Sequence, residues 1–260
     1  MHMEPKSNVE WRKWAQDDPL YGIATRSERH RNGKRPWTLP EFYEYGALNW
    51  SEYYPHWCRY GVNPKSCLEI GCGAGRITRQ LVRCFGSVYG IDISSDMLRI
   101  AQDNVTGAKF LLSGGMGIPL PDASVSAVFS SEVFRHFDRR DIALSYFREI
   151  HRVLFPQGTF MVQLPIVALP QRDILPAMDD IQRFFWQFME SWVRTKANVK
   201  RWLISHRNRR SFLFLIEYEP EWLLSHLSEI GFSDIEIQWF TITGDPREKY
   251  IDAFLFARKS

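Results

Sequence analysis

A short apolar segment runs directly into three glycines in five positions, in the stretch SCLEIGCGAGRIT at residues 66–78. Glycine permits left-handed backbone and a close approach of the chain to a ligand, so the pattern predicts a strand, a tight turn and a helix. The turn would present the free backbone amides of a helix N-terminus. This arrangement is typical of sites for nucleotide-like cofactors, and the flanking residues must decide which cofactor.

From residue 66 to 164 the chain alternates between strand and helix patterns with short connections. The apolar segments CLEI, SVYGID, AKFLL, VSAVFSS and TFMVQL are each separated by a helical or loop stretch. This alternation predicts an α/β fold with a parallel sheet and helices on both faces. A later helix, with Pro220 near its start and Gly231 at its end, precedes two more strands. Asp138 stands where it could cap the helix that follows it.

Two segments do not fit the alternation. Residues 1–63 are rich in Trp, Tyr and Arg and predict an irregular arm followed by a helix near 40–60. Residues 165–212 contain prolines, an aromatic stripe at helical spacing and a basic run. We expect 1–63 to be an arm or cap and 64–260 a cofactor-binding domain with a helical lid insertion at about 165–212. The aromatic helix would equally suit packing on the domain or across a homodimer.

Charge and cysteine usage exclude several classes of function. A net charge of +3 on 260 residues is mild and does not indicate a nucleic-acid or membrane partner. The four cysteines show no CxxC pair and no zinc-ligand spacing, so we expect reduced thiols, no metal site and a cytoplasmic location. The sequence shows no signal peptide and no apolar run long enough to span a bilayer, so no membrane partner is expected.

The residues around the glycines argue against a dinucleotide. A dinucleotide loop reads G-x-G-x-x-G, and Arg76 stands in place of its third glycine. Glu69, two residues before Gly71, would repel a diphosphate but suits an ammonium or sulfonium group. Asp92 follows Gly71 by 21 residues, at the end of the second strand, where a carboxylate can accept both hydroxyls of a ribose. These features favour S-adenosylmethionine and disfavour an NAD-dependent dehydrogenase.

Four ordered motifs carry a more specific resemblance, namely CLEIGCGAG, GIDISSDML, GIPLPDASVSAVFSSEVFRHF and REIHRVLFPQGTF. On these motifs, residues 66–164 resemble class I S-adenosylmethionine-dependent methyltransferases of the small-molecule type. The resemblance implies a Rossmann-like, mostly parallel seven-stranded sheet, whose reversed last strand lies between the fifth and sixth. It also implies S-adenosylmethionine as donor, S-adenosylhomocysteine as product and no metal. The chain departs from the family at Gly114 and Ser126, where Asp is common, and at Gln157, where Gly is common.

The resemblance also implies a set of cofactor contacts: Glu69, Gly71, Cys72, Gly73, Asp92, Ile93, Met97, Gly115, Met116 and Ser130. Cys72 would contribute backbone rather than its thiol, and Gly115 and Met116 would offer backbone groups to the adenine. His136 and Glu132 lie just past the fourth strand, at the edge of the sheet where ligands bind. Each is a candidate general base for a hydroxyl acceptor, and each could instead only pack or hydrogen-bond at a helix start.

The predicted activity is methyl transfer to a hydroxyl or amine of a small or medium-sized metabolite. The basic run and the arginines between residues 26 and 35 would suit an anionic acceptor. One alternative is an RNA methyltransferase, which the mild net charge disfavours. The other is a non-catalytic S-adenosylmethionine-binding protein, for which the Gly114 departure leaves room.

Overall fold

The structure is a computed structural model that describes residues 4–166, 216–240 and 252–260. These residues form a seven-stranded sheet of order β3-β2-β1-β4-β5-β7-β6. The strands are β1 (Ser66–Ile70), β2 (Ser87–Asp92), β3 (Ala108–Leu112), β4 (Val125–Ser130), β5 (Leu154–Pro165), β6 (Phe232–Phe240) and β7 (Asp252–Lys259). The strands β1 to β5 are parallel, and β7 is antiparallel to both β5 and β6. The predicted sheet with its reversed last strand is confirmed.

The α-helices of the described residues are α1 (Lys6–Asp17), α2 (Pro19–Ile23), α3 (Leu39–Tyr60), α4 (Thr78–Cys84), α5 (Ser95–Asn104), α6 (Arg140–Val153) and α7 (Pro220–Ile230). Local sequence explains the longest of them. Thr38 and Glu41 form a reciprocal capping box at the start of α3, and Gly61 ends it in a left-handed conformation. The helix α7 begins at Pro220 and ends before Gly231, as predicted.

The sheet is covered on both faces because alternate residues of each strand point in opposite directions. On one face Leu68 and Phe160 pack with residues of α6 and α7. On the other face Phe129 packs with Trp57 of α3, whose indole nitrogen donates to Thr159 Oγ1 at 3.1 Å. Helix α3 therefore packs into the hydrophobic core on this face of the sheet, although it lies within the segment 1–63 that we predicted as an arm or cap.

The start of the chain forms helix α1 and is not irregular as predicted. The side chain that caps this helix is distant in sequence, so no local pattern indicates it. No side chain close to α1 in sequence caps its first turn. Instead the carboxylate of Asp138 accepts hydrogen bonds from the backbone amides of Lys6, at 2.5 Å, and Ser7, at 3.1 Å. The prediction that Asp138 caps its own helix is wrong, since α6 begins after Arg139 without a side-chain cap. From sequence alone, an Asp can be recognised as a possible helix cap, but the helix that it caps cannot be identified.

The predicted lid falls almost entirely outside the described residues, which stop at 166 and resume at 216. The aromatic stripe and the basic run of that segment lie outside them as well. Within the described ranges, no helix combines the length and the apolar character that crossing a membrane requires.

Candidate cofactor and acceptor site

A cavity lies at the carboxyl ends of β1, β2 and β4. Its lining comes from the glycine loop, the ends of these strands, and helices α1, α2, α5 and α6: Ser7, Asn8, Trp11, Ile23, Glu69, Gly71, Cys72, Gly73, Arg76, Ile77, Asp92, Ile93, Met97, Ser131, Glu132, Val133, His136, Phe137 and Tyr146. Open α/β sheets bind ligands at this edge, where the strand order reverses direction. The cavity thus brings together seven of the ten predicted cofactor residues and both candidate bases.

The glycine loop is shaped by steric demands at two positions. Gly71 and Gly73 have φ values of 71° and 51°, in the left-handed region. A Cβ atom on Gly71 would lie 2.2 Å from Val133 Cγ2, and one on Gly73 would lie 2.7 Å from Ile23 Cδ1. Since neither position can accept a side chain, the loop offers bare backbone to the cavity.

The thiol of Cys72 is buried and is not placed for reaction. Its sulfur is packed so closely beneath the loop that a Cβ atom on Gly90 of β2 would lie 3.0 Å from it. Burial raises the pKa of the Cys72 thiol, so the reactive thiolate is disfavoured. This environment fits the expectation that only the backbone of Cys72 faces a ligand.

Three predicted cofactor residues do not line the cavity. Ser130 is buried in the sheet, where its hydroxyl donates to the carbonyl oxygen of Ile70 at 3.0 Å. Met116 is exposed on the loop after β3. Gly115 is covered by helix α1, because a Cβ atom there would lie 2.2 Å from Asn8 Nδ2. Contacts from these three to a cofactor stay predictions.

Asp92 is held in place by the backbone on both sides of the cavity. One carboxylate oxygen accepts the amide of Gly73 at 2.8 Å, and the other accepts the amide of Ser94 at 2.9 Å. Burial raises the pKa of Asp92, against the lowering effect of these amides. Each oxygen keeps a further lone pair, so the fixed carboxylate can accept the two hydroxyl hydrogens of a ribose. The residue fits the adenosine part of S-adenosylmethionine.

Glu69 is a buried carboxyl at the end of β1. The hydroxyl of Thr78 donates to its Oε2 atom. Burial raises the pKa of Glu69 to about 8, although Thr78 and the charge of Arg76 act in the opposite direction. Without a ligand the group is therefore mostly protonated at neutral pH. A cationic ligand beside it would favour the ionised form, which fits the ammonium and sulfonium charges of S-adenosylmethionine.

Glu132 follows β4 in a left-handed conformation, with φ at 61°, which is uncommon for a residue with a side chain. Its carboxylate accepts hydrogen bonds from Arg135 Nη1 at 2.6 Å and from Gln163 Nε2 at 3.1 Å. Burial raises the pKa of Glu132, but the charges of Arg135 and His136 outweigh it, so the net shift is downward. Glu132 is thus held as an anion, close enough to His136 for their charges to interact.

His136 lines the cavity from the short helical turn after β4, with its ring in edge contact with Trp11 at a centroid distance of 5.1 Å. Trp11 belongs to α1, which also contributes Ser7 and Asn8 to the lining of the cavity. Arg12 of the same helix donates from Nε to the carbonyl oxygen of Ile93 at 3.3 Å. Together with the Asp138 cap, these contacts attach α1 to the loops on both sides of the cavity.

Arg76 also lines the cavity, although its place in the sequence indicates only the absence of a third dinucleotide glycine. The residue is 5% exposed, and its Nη1 atom donates to Asn49 Oδ1. The backbone of α3 comes so close that a Cβ atom on Gly46 would lie 2.5 Å from the Arg76 carbonyl oxygen and 2.7 Å from Arg76 Cγ. Gln163 and the residues of α1 were also not predicted, because nothing in their local sequence places them at this edge.

The described residues contain no cluster of three His, Cys, Asp or Glu side chains that could hold a metal ion. The described residues that line the cavity include a carboxylate for hydroxyl groups, a buried carboxyl for a cation, and a histidine beside a fixed anion. This set fits an organic ligand that carries a ribose and a positive charge.

Comparison with known proteins identifies the family of the chain. A family profile described as a methyltransferase domain matches residues 68–162. The demethylmenaquinone methyltransferase of Thermotoga maritima is 33% identical over 191 residues, which cover 70% of this chain and 77% of that protein. The fatty-acid O-methyltransferase of Mycolicibacterium smegmatis is 33% identical over 104 residues, or 38% of this chain. That second match covers only 37% of the relative's own length.

The fold is also that of a solved methyltransferase. Magnesium protoporphyrin IX methyltransferase from Synechocystis, solved with bound S-adenosylhomocysteine, aligns over 98% of this chain and 100% of its own, with a TM-score of 0.59 and 13% identity. The family profile and the relatives together define an enzyme of methyl transfer. The chain belongs to the class I S-adenosylmethionine-dependent methyltransferases.

Proposed function

We propose that this enzyme methylates a hydroxyl or amine of a small or medium-sized metabolite. One observation carries the proposal: a single cavity joins the Gly71–Gly73 loop and Asp92 to Glu132 and His136, with α1 across it. A cofactor bound at the first group and an acceptor bound at the second would therefore be adjacent. A covered cavity suits a small acceptor better than RNA, which is usually recognised along an open, basic and aromatic surface.

The cofactor end has a distinct role for each residue. Asp92 would accept the ribose hydroxyls, and Glu69 would balance positive charge at the methionine end. The bare backbone at Gly71 and Gly73 would allow close contact with the ligand. When bound, S-adenosylmethionine supplies an electrophilic methyl group, and most of the acceleration should come from holding the acceptor in line with it.

The acceptor end is suited to removing a proton. The imidazole of His136 would take the proton from the acceptor's hydroxyl oxygen. The anion of Glu132 would stabilise the imidazolium that forms, since the two charges already interact. Glu132 itself is a poor proton acceptor, because the charges of Arg135 and His136 lower its pKa. A neutral amine acceptor would need less help from His136.

Helix α1 would keep water out of this cavity during the reaction. Trp11 and Asn8 of α1 are among the residues that line the cavity. A covered site keeps the acceptor and the methyl group from reacting with solvent and strengthens the electrostatic effects of Glu69 and Glu132.

Labelled methyl transfer tests the proposal. The protein would be incubated with methyl-labelled S-adenosylmethionine and fractionated cell extract, and the products identified by mass. We expect labelled compounds of low mass that disappear with Asp92→Ala. Label that is removed by ribonuclease would favour an RNA substrate. Calorimetric binding of S-adenosylmethionine without any labelled product would favour a non-catalytic binding protein.

We also propose a cellular location and an oligomeric state for this enzyme. The four cysteines are free thiols, two of them buried. This usage supports work in a reducing compartment such as the cytoplasm. Assembly as a homodimer stays a prediction, which light scattering of the purified protein would test.

A further inference from the structure

Arg76 is a buried cation on the wall of the cavity. It directly follows the glycine loop and precedes α4, and it shares the cavity lining with Glu69 and Glu132. A guanidinium is positively charged at any pH a protein experiences, so its burial requires compensation from neighbouring groups.

The described neighbours give only part of that compensation. Arg76 Nη1 donates to Asn49, which is uncharged, and the guanidinium lies 5.3 Å from the ring centroid of Tyr45. The Nε atom has no hydrogen-bond partner, and the guanidinium no ion pair, among the residues that the structure describes.

Both nearby acids have other hydrogen-bond partners, and neither forms an ion pair with Arg76 among the described residues. Glu69 is bonded by Thr78, and its raised pKa keeps it mostly neutral at pH 7. Glu132 is an anion, but its two oxygens accept from Arg135 and Gln163. Among the described residues Arg76 therefore lines the cavity without an ion pair, although its charge acts on Glu69 and Glu132 and opposes the protonation of both.

We infer that Arg76 binds a carboxylate of a ligand in this cavity. The guanidinium presents several N–H donors in a rigid fork, which matches the two oxygens of a carboxylate. Two ligands could bring that group: the cofactor, through the carboxylate of its methionine end, or the acceptor, through a carboxylate of its own. The second source rests on the proposed function; the first does not.

A matched pair of ligands isolates the cofactor's carboxylate. Decarboxylated S-adenosylmethionine differs from S-adenosylmethionine only by that group, and calorimetry gives the affinity of each without turnover. If the cofactor is the source, the native protein should prefer the intact compound by about 10- to 100-fold, as for a hydrogen bond to a charged group. Arg76→Met should reduce this preference to nearly one. Arg79→Met should keep it, because Arg79 lies over the ring of Tyr43 and not in the cavity lining.

A second variant guards against a loss of folding in Arg76→Met. Asn49 lies outside the cavity lining but touches the guanidinium. Asn49→Asp would place an anion against Arg76 while leaving the arginine in its packed position. This variant should fold and should also lose the preference for the carboxylated ligand, an effect that a purely structural role of Arg76 does not produce.

A separate measurement tests the carboxylate of the acceptor. If the native preference is near one, the labelled products retained by an anion-exchange resin should fall at least tenfold with Arg76→Met and Asn49→Asp, while binding of S-adenosylmethionine is kept. The inference would be overturned if Arg76→Met and Asn49→Asp kept both the ligand preference of the native protein and its yield of anionic products. If the native protein gives no labelled product at all, the proposed function fails, and the inference is then decided by calorimetry alone.

Discussion

Asp138 and Ser7 are 131 residues apart in the chain, yet the carboxylate of Asp138 accepts the backbone amide of Ser7 at 3.1 Å. Asp138 lies two residues after His136, and Ser7 lies in the first turn of the helix that covers the cavity. The same loop therefore carries the candidate base and fixes the cover. A change at Asp138 would therefore act on both α1 and the loop that carries His136.

Asp138→Ala should loosen α1 without unfolding the sheet. Loss of a side-chain cap costs about 1 kcal/mol of helix stability. We expect faster amide hydrogen exchange in residues 6–17, measured by mass spectrometry, and faster dissociation of S-adenosylmethionine. Asp141→Ala is the control, because that side chain is exposed and pairs with Arg139. Equal exchange in both variants would contradict a capping role for Asp138.

Asp92→Ala should weaken binding of S-adenosylmethionine by about 2–3 kcal/mol, since a charge-assisted contact to two hydroxyls is lost. The substitution also releases the amides of Gly73 and Ser94, so part of the effect will be a looser loop. Calorimetry and thermal melting separate the two. Asp96→Ala removes an acid that pairs with Arg99 on α5, and this variant should bind S-adenosylmethionine normally. Unchanged affinity in Asp92→Ala would refute its assignment to the ribose.

Glu69 should make stability and binding depend on pH. Its pKa is raised from 4.5 to about 8 in the unliganded fold, so between these values the unfolded state has lost a proton that the folded state keeps. Stability should therefore fall as pH rises through this window, by at most about 1.4 kcal/mol per pH unit, and level off above it. Glu69→Gln should remove this slope in urea titrations at several pH values.

Binding of the cofactor should reverse the preference of Glu69. A positive ligand favours the ionised carboxylate, so S-adenosylmethionine should bind with release of a proton below pH 8. Calorimetry in buffers of different ionisation enthalpy measures that proton directly. The release should be absent in Glu69→Gln. A native protein that takes up or releases no proton at pH 7 would show that the charge of the ligand lies elsewhere.

His136→Gln should lower formation of a hydroxyl-methylated product by a factor of about 10²–10⁴, the usual contribution of a general base. Affinity for S-adenosylmethionine should stay nearly the same, because the imidazole acts at the acceptor end. His226→Gln is a suitable control, since His226 lies on α7 and bonds to the carbonyl oxygen of Trp222. Normal turnover in His136→Gln would leave the ring with a packing role against Trp11.

Gln157→Gly should stabilise the fold. Gln157 has a φ of 64°, and its side chain is exposed, so it gains little packing for the strain it carries. Relief of that strain should exceed the extra entropy of glycine in the unfolded chain, for a net gain of about 0.5–1 kcal/mol in urea titrations. Gln157→Ala keeps the Cβ atom and should give no gain. Equal stability of the two variants would contradict the strain.

The elements and part of the site could be predicted from local sequence because their signals are local. The apolar segments of β1 to β5 and the ends of α7 at Pro220 and Gly231 follow from patterns a few residues long. The glycine loop and Asp92 form another such pattern, since consecutive parallel strands end at the same edge. The departure at Gln157 also has a structural meaning, as the position demands a left-handed backbone that glycine adopts without strain.

The remainder depends on which distant segments meet. Helix α1 lacks a local side-chain cap, so its docking by Asp138 has no signature near residue 6. The carboxylate of Glu132 is engaged by Gln163, from a strand 31 residues away. Arg76 lies in a recognisable motif, but its burial is produced by the approach of α3, which no short pattern encodes.

The close contact between Gly46 and Arg76 has an entropic consequence. The backbone of α3 immobilises the stem of an arginine, a side chain that in solution has rotamer freedom worth about 2 kcal/mol. That freedom is lost when the chain folds, before any ligand arrives. A ligand that reaches the guanidinium therefore meets a group already in a single conformation, and its association is not opposed by ordering of that side chain.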